Sequence, residues 1–316
     1  MKIRFCECIL ILVIGSVGLL WGDTTTYWIG GDANWTAAGW SNGDPSATQN
    51  LDAYLSSGTV TLTGGKTLTN SNLTMSGGVI VSSGQPLVFQ GTVAEARPTF
   101  TFTGGTISLS QLNAWLGSVA NNVAGINFVM TGGILQTTDP SVDDCGLTLR
   151  GNDVASISGG TVAVNRIHVG AFAYSEMTLS GGSVTTKNLD FGWSGVGGDW
   201  NVTGGTLCVG TLDFHGRSGS FLNISGGEVY VNTVQNIPLP TSATDPASTY
   251  LTGGTLSVGN YSNTLRNMGG TVEINTLHTI TAETTEPVAS KYGTMTVTTY
   301  AQRGGTHCVR HLRRCQ

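Results

Sequence analysis

The sequence predicts an all-β chain wound as a right-handed parallel β-helix, a solenoid with about three short strands in each 22-residue coil. Three observations predict it. The segments SISGGTVAV, TLSGGSVTT, NVTGGTLCV and NISGGEVYV repeat one pattern, with glycine pairs starting at 159, 181, 204 and 226, so the period is 22, 23 and 22. Counted from the second glycine of each pair, positions +2, +4, +7 and +9 are mostly apolar, as in Val162, Val164, Ile167 and Val169, and −2 from the first glycine is Ile157, Leu179, Val202 or Ile224. Steps of two mark strands. The step of three between +4 and +7 marks a corner that keeps the apolar side inward. Third, only 10% of residues are charged while 46 are glycine. A long solenoid with a neutral polar skin has that composition. Parallel crossovers are right-handed in nearly all cases, and stacked coils place equivalent residues about 4.8 Å apart.

The paired glycines fit tight corners, where the backbone needs positive φ or approaches its neighbour too closely for a Cβ. Flanking Ser and Thr hydroxyls can cap the freed backbone groups. A phosphate-cradling loop would need a helix to follow, and another strand follows here.

The N-terminus reads as a secretory signal over residues 1–22. Lys2 and Arg4 precede an apolar run from Ile9 to Trp21 that is short for a membrane span. An uncleaved N-terminal anchor is the other reading; after cleavage no transmembrane anchor is expected. Cys145, Cys208, Cys308 and Cys315 then remain. They are too few for a disulfide scaffold, and no spacing suggests a zinc site. Cys208 should point outward, and only Cys308 and Cys315 are close enough in sequence to pair easily. The formal charge of −5 and the lack of a basic patch in the body exclude an ordinary nucleic-acid partner.

Residues 23–55 carry Trp28, Trp35 and Trp40 among Gly, Asn and Asp, followed by Pro45. A Trp-rich cap covering the open end of the solenoid is expected, and sugar stacking on these three rings is the alternative. This Trp spacing, the proline and the strand repeats with Gly-Gly corners resemble bacterial autotransporter-associated β-strand repeat proteins and PEP-CTERM-type exported β-helix proteins, over residues 27–280. The resemblance implies a secreted or surface-displayed protein, usually without assigned chemistry.

Repeats continue over residues 56–280. Glycine pairs at 64, 77, 104 and 132 place Leu62, Met75, Phe102 and Met130 at −2. Residues 111–124 could form a short outer helix. Asp139, Asp143 and Asp144 share a loop whose spacing matches no calcium loop, so a plain polar loop is expected. NIPLPTSATDPAST is a loop thrown out from one coil. Residues 281–316 read as an irregular final coil and a basic tail, with Gln302 at −2 and His307 at +2 of the pair at 304. The tail, rich in Arg310, Arg313 and Arg314, reads as a truncated or frameshifted end, or as a segment that holds an anionic surface. Disorder over 303–316 would leave the last coil open, and self-association through the solenoid ends would follow.

Position +8 is the outward column with chemistry in it: His168, Asp190, Asp213 and Gln235, flanked by Arg166, Lys187 and His215. Stacked aspartates repel unless a proton or cation intervenes. Asp190 and Asp213 are therefore the candidate catalytic or calcium-holding pair, with Arg166 or Lys187 as the nearby cation or base. A solvated polar ladder is the plainer reading. Calcium wants six to eight oxygens, so substrate carboxylates would have to complete the shell. The expectation is a structural or adhesive surface protein; a polysaccharide-binding or lyase-like protein, with extracellular polysaccharide as partner, is the alternative.

Overall fold

The computed structural model describes residues 24–92, 97–111, 115–118, 124–192, 197–215, 219–236, 249–262, 265–267, 269–280, 288–290 and 294–303. The expected signal segment, the insertion at 237–248 and the tail with Cys308 and Cys315 lie outside them. Among the described residues the only helical element is the 3-10 turn Ala37–Gly39, and no helix is long and apolar enough to cross a membrane.

The chain forms a parallel β-solenoid. One sheet runs through twelve strands from Thr24–Tyr27 to Val288–Ser290, and the other through twelve from Asp32–Asn34 to Thr294–Arg303, joined by four more, Lys66–Thr69, Leu87–Gln90, Trp115–Ser118 and Gly146–Leu149, which begin a third face that the second halves of the long strands continue. In a regular coil the first-sheet strand Val154–Ile157 leads through the glycine corner into Thr161–Val169. That long strand bends rather than breaks. Thr161 to Val164 and Arg166 to Val169 pair with the next coil, and Asn165 between them is skipped. The step of three in the apolar pattern is this one unpaired residue.

The interior columns are continuous. Val60, Ile80, Ile107, Leu135, Val162, Val184, Leu207, Val229, Leu256 and Val272 stand in register, and none is more than 1% exposed. Full burial of each such side chain contributes about 1.5–3 kcal/mol. The −2 column runs Leu55, Met75, Phe102, Met130, Ile157, Leu179, Val202, Ile224 and Leu251. Leu62 therefore does not belong to it. It pairs with Ser82 in the second sheet, because the corner that follows Leu55 is Ser57-Gly58, where only Gly58 has positive φ. The pair at 64 follows the next strand instead.

Each Gly-Gly corner divides two needs between its two glycines. A Cβ on Gly181 would lie 2.4 Å from the Ser158 carbonyl oxygen of the coil beneath, whereas Gly182 has φ +76°. Close approach selects the first glycine and left-handed backbone the second. At three corners the threonine before the pair caps it: Thr203 Oγ1 donates to the Leu179 carbonyl at 3.4 Å, and Thr103 and Thr252 repeat this.

The Trp-rich segment is itself a coil of the ladder. Thr24–Tyr27 pairs with Leu51–Leu55, and Asp32–Asn34 with Thr59–Leu62. Trp28, Trp35 and Trp40 pack on one another with ring centroids 5.4 and 5.0 Å apart. Trp35 Nε1 donates to Asp44 Oδ1 at 2.6 Å. The helix expected over 111–124 is absent from the described part of that segment. Trp115–Ser118 is a strand between Leu87–Gln90 and Gly146–Leu149, with Leu116 in register with Leu87 and Leu147. Backbone pairing on the third face outweighs local helix preference. Near the end, Thr294 pairs with Thr271, which puts Met295 and Val297 at the register positions of Val272 and Ile274. The rule is kept there, one coil earlier than the pair at 304 suggests, so residues 288–290 and 294–303 belong to the ladder.

Asp153 ties neighbouring coils together. It accepts hydrogen bonds from Ser118 Oγ at 2.5 Å and from the Ile126 and Gly151 N–H groups at 2.9 Å. Burial pushes its carboxyl up to about 6 against these donors.

Two predictions follow from corner and clamp. Gly181→Val or Gly204→Val should destabilise by about 1–3 kcal/mol, because a backbone oxygen occupies the Cβ position. Exposed Thr185→Ser should stay within about 0.5 kcal/mol. Equal melting shifts for the three would remove the corner role. Asp153→Ala should cost about 3 kcal/mol in chemical denaturation, since it orphans buried N–H donors; an unchanged midpoint would mean the clamp is idle.

Candidate functional site

The +8 column stacks as expected: Thr148, His168, Asp190, Asp213 and Gln235 are in register. It is not solvated. His168, Asp190 and Asp213 are 7%, 6% and 7% exposed, which corrects the expectation of an outward polar ladder. Neighbouring side chains lie back over the third face. The Arg166 guanidinium reaches Asp190 Oδ2 at 3.1 Å through Nε and Asp144 Oδ1 at 2.6 Å through Nη1. His215 follows its strand with φ 49°, at the position where the two preceding coils have left-handed Gly170 and Gly192. This turn sends its ring back one coil, with Nε2 3.2 Å from Asp190 Oδ1.

Asp213 is held by four hydrogen bonds from three donor groups. The His215 N–H reaches Oδ1 at 2.7 Å, Gln235 Nε2 reaches Oδ2 at 2.9 Å, and Asn236 Nδ2 reaches both oxygens at 3.0 and 2.9 Å. Asp190 differs. Burial raises its carboxyl above the usual range, opposed by Arg166 and His215, while the Asp213 charge adds to the rise. Its Oδ2 accepts no aligned hydrogen bond; the Arg166 contact is an ion-pair approach, and His168 Nδ1 is 3.6 Å away. Burial, then the Arg166 charge, lowers His168 to about 4.

The other candidates separate from this cluster. Lys187 lies away from the aspartate pair. Its ammonium donates to the Pro140 carbonyl and sits 4.0 Å from Asp143 Oδ1, so it does not face Asp190 as a base. The loop of Asp139, Asp143 and Asp144 is a polar loop. Asp139 Oδ1 accepts from Ser141, and the other two carboxylates pair with Lys187 and Arg166. Trp28, Trp35 and Trp40, at 7%, 2% and 3% exposure, offer no free face for stacking a sugar. Cys145 is buried and Cys208 partly exposed, as an outward +3 residue should be.

The structure extends one feature of the sequence reading and adds one that it missed. Asp190, Asp213 and His215 each offer a ligand atom, all within 4.8 Å of one another. The aspartate pair was the expected one; the signal that His215 joins it was a histidine where the two preceding coils carry glycine. On the outer side of the strand bend, a shallow groove of about 370 Å³ is lined by Thr185, Cys208, Tyr230, Asn232 and Ser257, with Gly210 and Gly259 at the bend. Small residues at the skipped position were its signal.

The pH dependence can be worked out from His168. Its pKa is depressed in the fold, so its contribution is present above the unfolded value near 6.5 and is lost as pH falls towards 4. The loss amounts to about 3 kcal/mol at most. His168→Gln, which installs the residue the same column carries at 235, should flatten that part of the profile. Thermal melts at pH 4.5 and 7.5 check this; identical pH slopes for both proteins would exclude it.

No protein-family model, curated protein or solved structure matches the chain, so what the site can do rests on its own geometry.

Proposed function

We propose that the chain is a structural or adhesive β-solenoid, exported from a bacterial cell and secreted or displayed at its surface. The observation that carries this reading is continuity: an in-register ladder joins Thr24 to Arg303, while the +8 column, which carries the candidate catalytic residues, lies buried and internally paired. A lyase needs carboxylates or a base that a polymer can reach. Asp190 and Asp213 lie beneath Arg166, His215 and Asn236, which supports the structural reading over that one. Lys2, Arg4 and the apolar run to Trp21 support export, as does the resemblance to autotransporter-associated repeats and PEP-CTERM-type exported proteins. Self-association through the solenoid ends is part of the proposal, because an end strand presents unpaired backbone groups.

Passive glycan binding is the second reading, and the groove favours it. Tyr230 is 43% exposed beside Thr185, Asn232 and Ser257. Such a lining stacks on and hydrogen-bonds to a neutral sugar chain better than to an acidic one.

Expression of the full chain in a bacterial host, with fractionation and protease shaving of intact cells, should place it outside the cytoplasm. A protease-protected cytoplasmic pool would defeat the export reading. In a polysaccharide depolymerisation screen no product should form, with or without calcium. Product that disappears in Asp190→Ala would replace the structural reading with an enzymatic one. On a glycan array any signal should fall by about tenfold in Tyr230→Ala, the value of one lost stacking contact.

A further inference from the structure

We propose that Asp190, Asp213 and His215 form a binding site for a first-row divalent cation of the Zn²⁺ type, on the third face of the solenoid. Three observations converge on it. The donor set is two carboxylates and one imidazole, with ligand atoms within 4.8 Å of one another. The Asp190 Oδ1–His215 Nε2 separation is 3.2 Å, near the ligand–ligand edge of about 3.3 Å that bonds of 2.0–2.1 Å give in a tetrahedral zinc site. Asp213 offers its ligand oxygen within 4.8 Å of both. Independently, Asp190 Oδ2 is buried and meets Arg166 Nε at 3.1 Å as an ion pair without an aligned hydrogen bond, an uncommon state for a buried carboxylate oxygen; a metal ion would satisfy this carboxylate.

The chemistry selects the kind of ion. Calcium takes six to eight oxygens and has little use for imidazole, whereas imidazole with carboxylate suits first-row metals. Three protein ligands leave a fourth position for water, and His215, whose side chain is 27% exposed, stands at the solvent edge where that position would open. The outer shell is in place: Gln235 and Asn236 orient Asp213, and His168 stands 3.6 Å from Asp190. Arg166 is the competing cation. It already has a second partner in Asp144 at 2.6 Å, so an entering ion can displace it from Asp190 without stranding its charge.

The competition makes the proposal testable. Full-length, untagged protein is dialysed against Zn²⁺ and, separately, Co²⁺, beside the His215→Asn and Arg166→Gln variants. Asparagine at 215 tolerates the left-handed backbone, so this variant removes the ligand and keeps the turn. Wild type should bind one more equivalent than His215→Asn, or bind it at least about tenfold more tightly. Arg166→Gln should bind about tenfold more tightly than wild type, since a competing positive charge is gone. The Co²⁺ difference spectrum should lack thiolate charge-transfer bands, which separates this site from Cys208 and from His307, Cys308, His311 and Cys315. Equal binding by wild type and His215→Asn would overturn the proposal. So would weaker binding by Arg166→Gln, a measurement that holds even if the 215 variant fails to fold, or Ca²⁺ displacing Zn²⁺ at equal concentration.

Discussion

The carbonyl oxygen before each glycine pair lies where a side chain of the next coil would begin. Cβ atoms built on Gly159, Gly181, Gly204, Gly226 and Gly253 would fall 2.4–2.5 Å from the oxygens of Thr131, Ser158, Ser180, Thr203 and Ser225. No larger residue fits that contact, so the corners stack directly on one another and the coils keep a single strand spacing. Everything else depends on this. A residue at any position must then be compatible with its own counterpart about 4.8 Å away, which is why whole columns are Val, Ile and Leu, and outward columns rich in Ser, Thr and Asn. Ionic side chains fit such a rule badly, because like charges directly opposite one another destabilise a sheet. A chain with only 10% charged residues is what the constraint leaves.

The parts that obey column logic were legible in the sequence. The −2 and +2 positions of the four regular coils read correctly because period two and the glycine pairs specify register without further information. The failures have physical causes. Leu62 was misassigned because the corner after Leu55 carries Ser57 in place of the first glycine, so the next pair, at 64, was read in its stead. The strand Trp115–Ser118 was missed because its partners, Leu87–Gln90 and Gly146–Leu149, lie about thirty residues away on either side. Local pattern carries no signal from them. The +8 column was placed correctly in register and wrongly in solvent, since outwardness was inferred from strand alternation alone. What covers Asp190 and Asp213 is set by how Arg166, His215 and Asn236 turn, and those turns depend on three separate coils.

That column is where the stacking rule is broken, and the surroundings show what the breach requires. Asp190 sits directly over Asp213, a repulsive pair in a site with little water. One carboxylate is neutralised from outside the column by Arg166, which also reaches down to the 139–144 loop through Asp144. The other is surrounded by neutral donors. A column holding asparagine in both places would stack without this support, so the arrangement is costly as a purely structural device.

The backbone at His215 points the same way. Gly170 and Gly192 make the equivalent turn at φ 72° and 63° without strain, and a rod that needed only to turn there would keep glycine. A histidine in the left-handed region costs about 1 kcal/mol relative to its preferred backbone. In return its ring is brought to 3.2 Å from Asp190, while its own N–H secures Asp213. One residue thus contacts both aspartates, from a position that strand alternation alone could not reach. The strained turn and the stacked carboxylates are each unfavourable alone. Together they create a compact cluster of nitrogen and oxygen donors on a rod poor in charged residues, and a divalent cation would relieve the repulsion between the stacked aspartates.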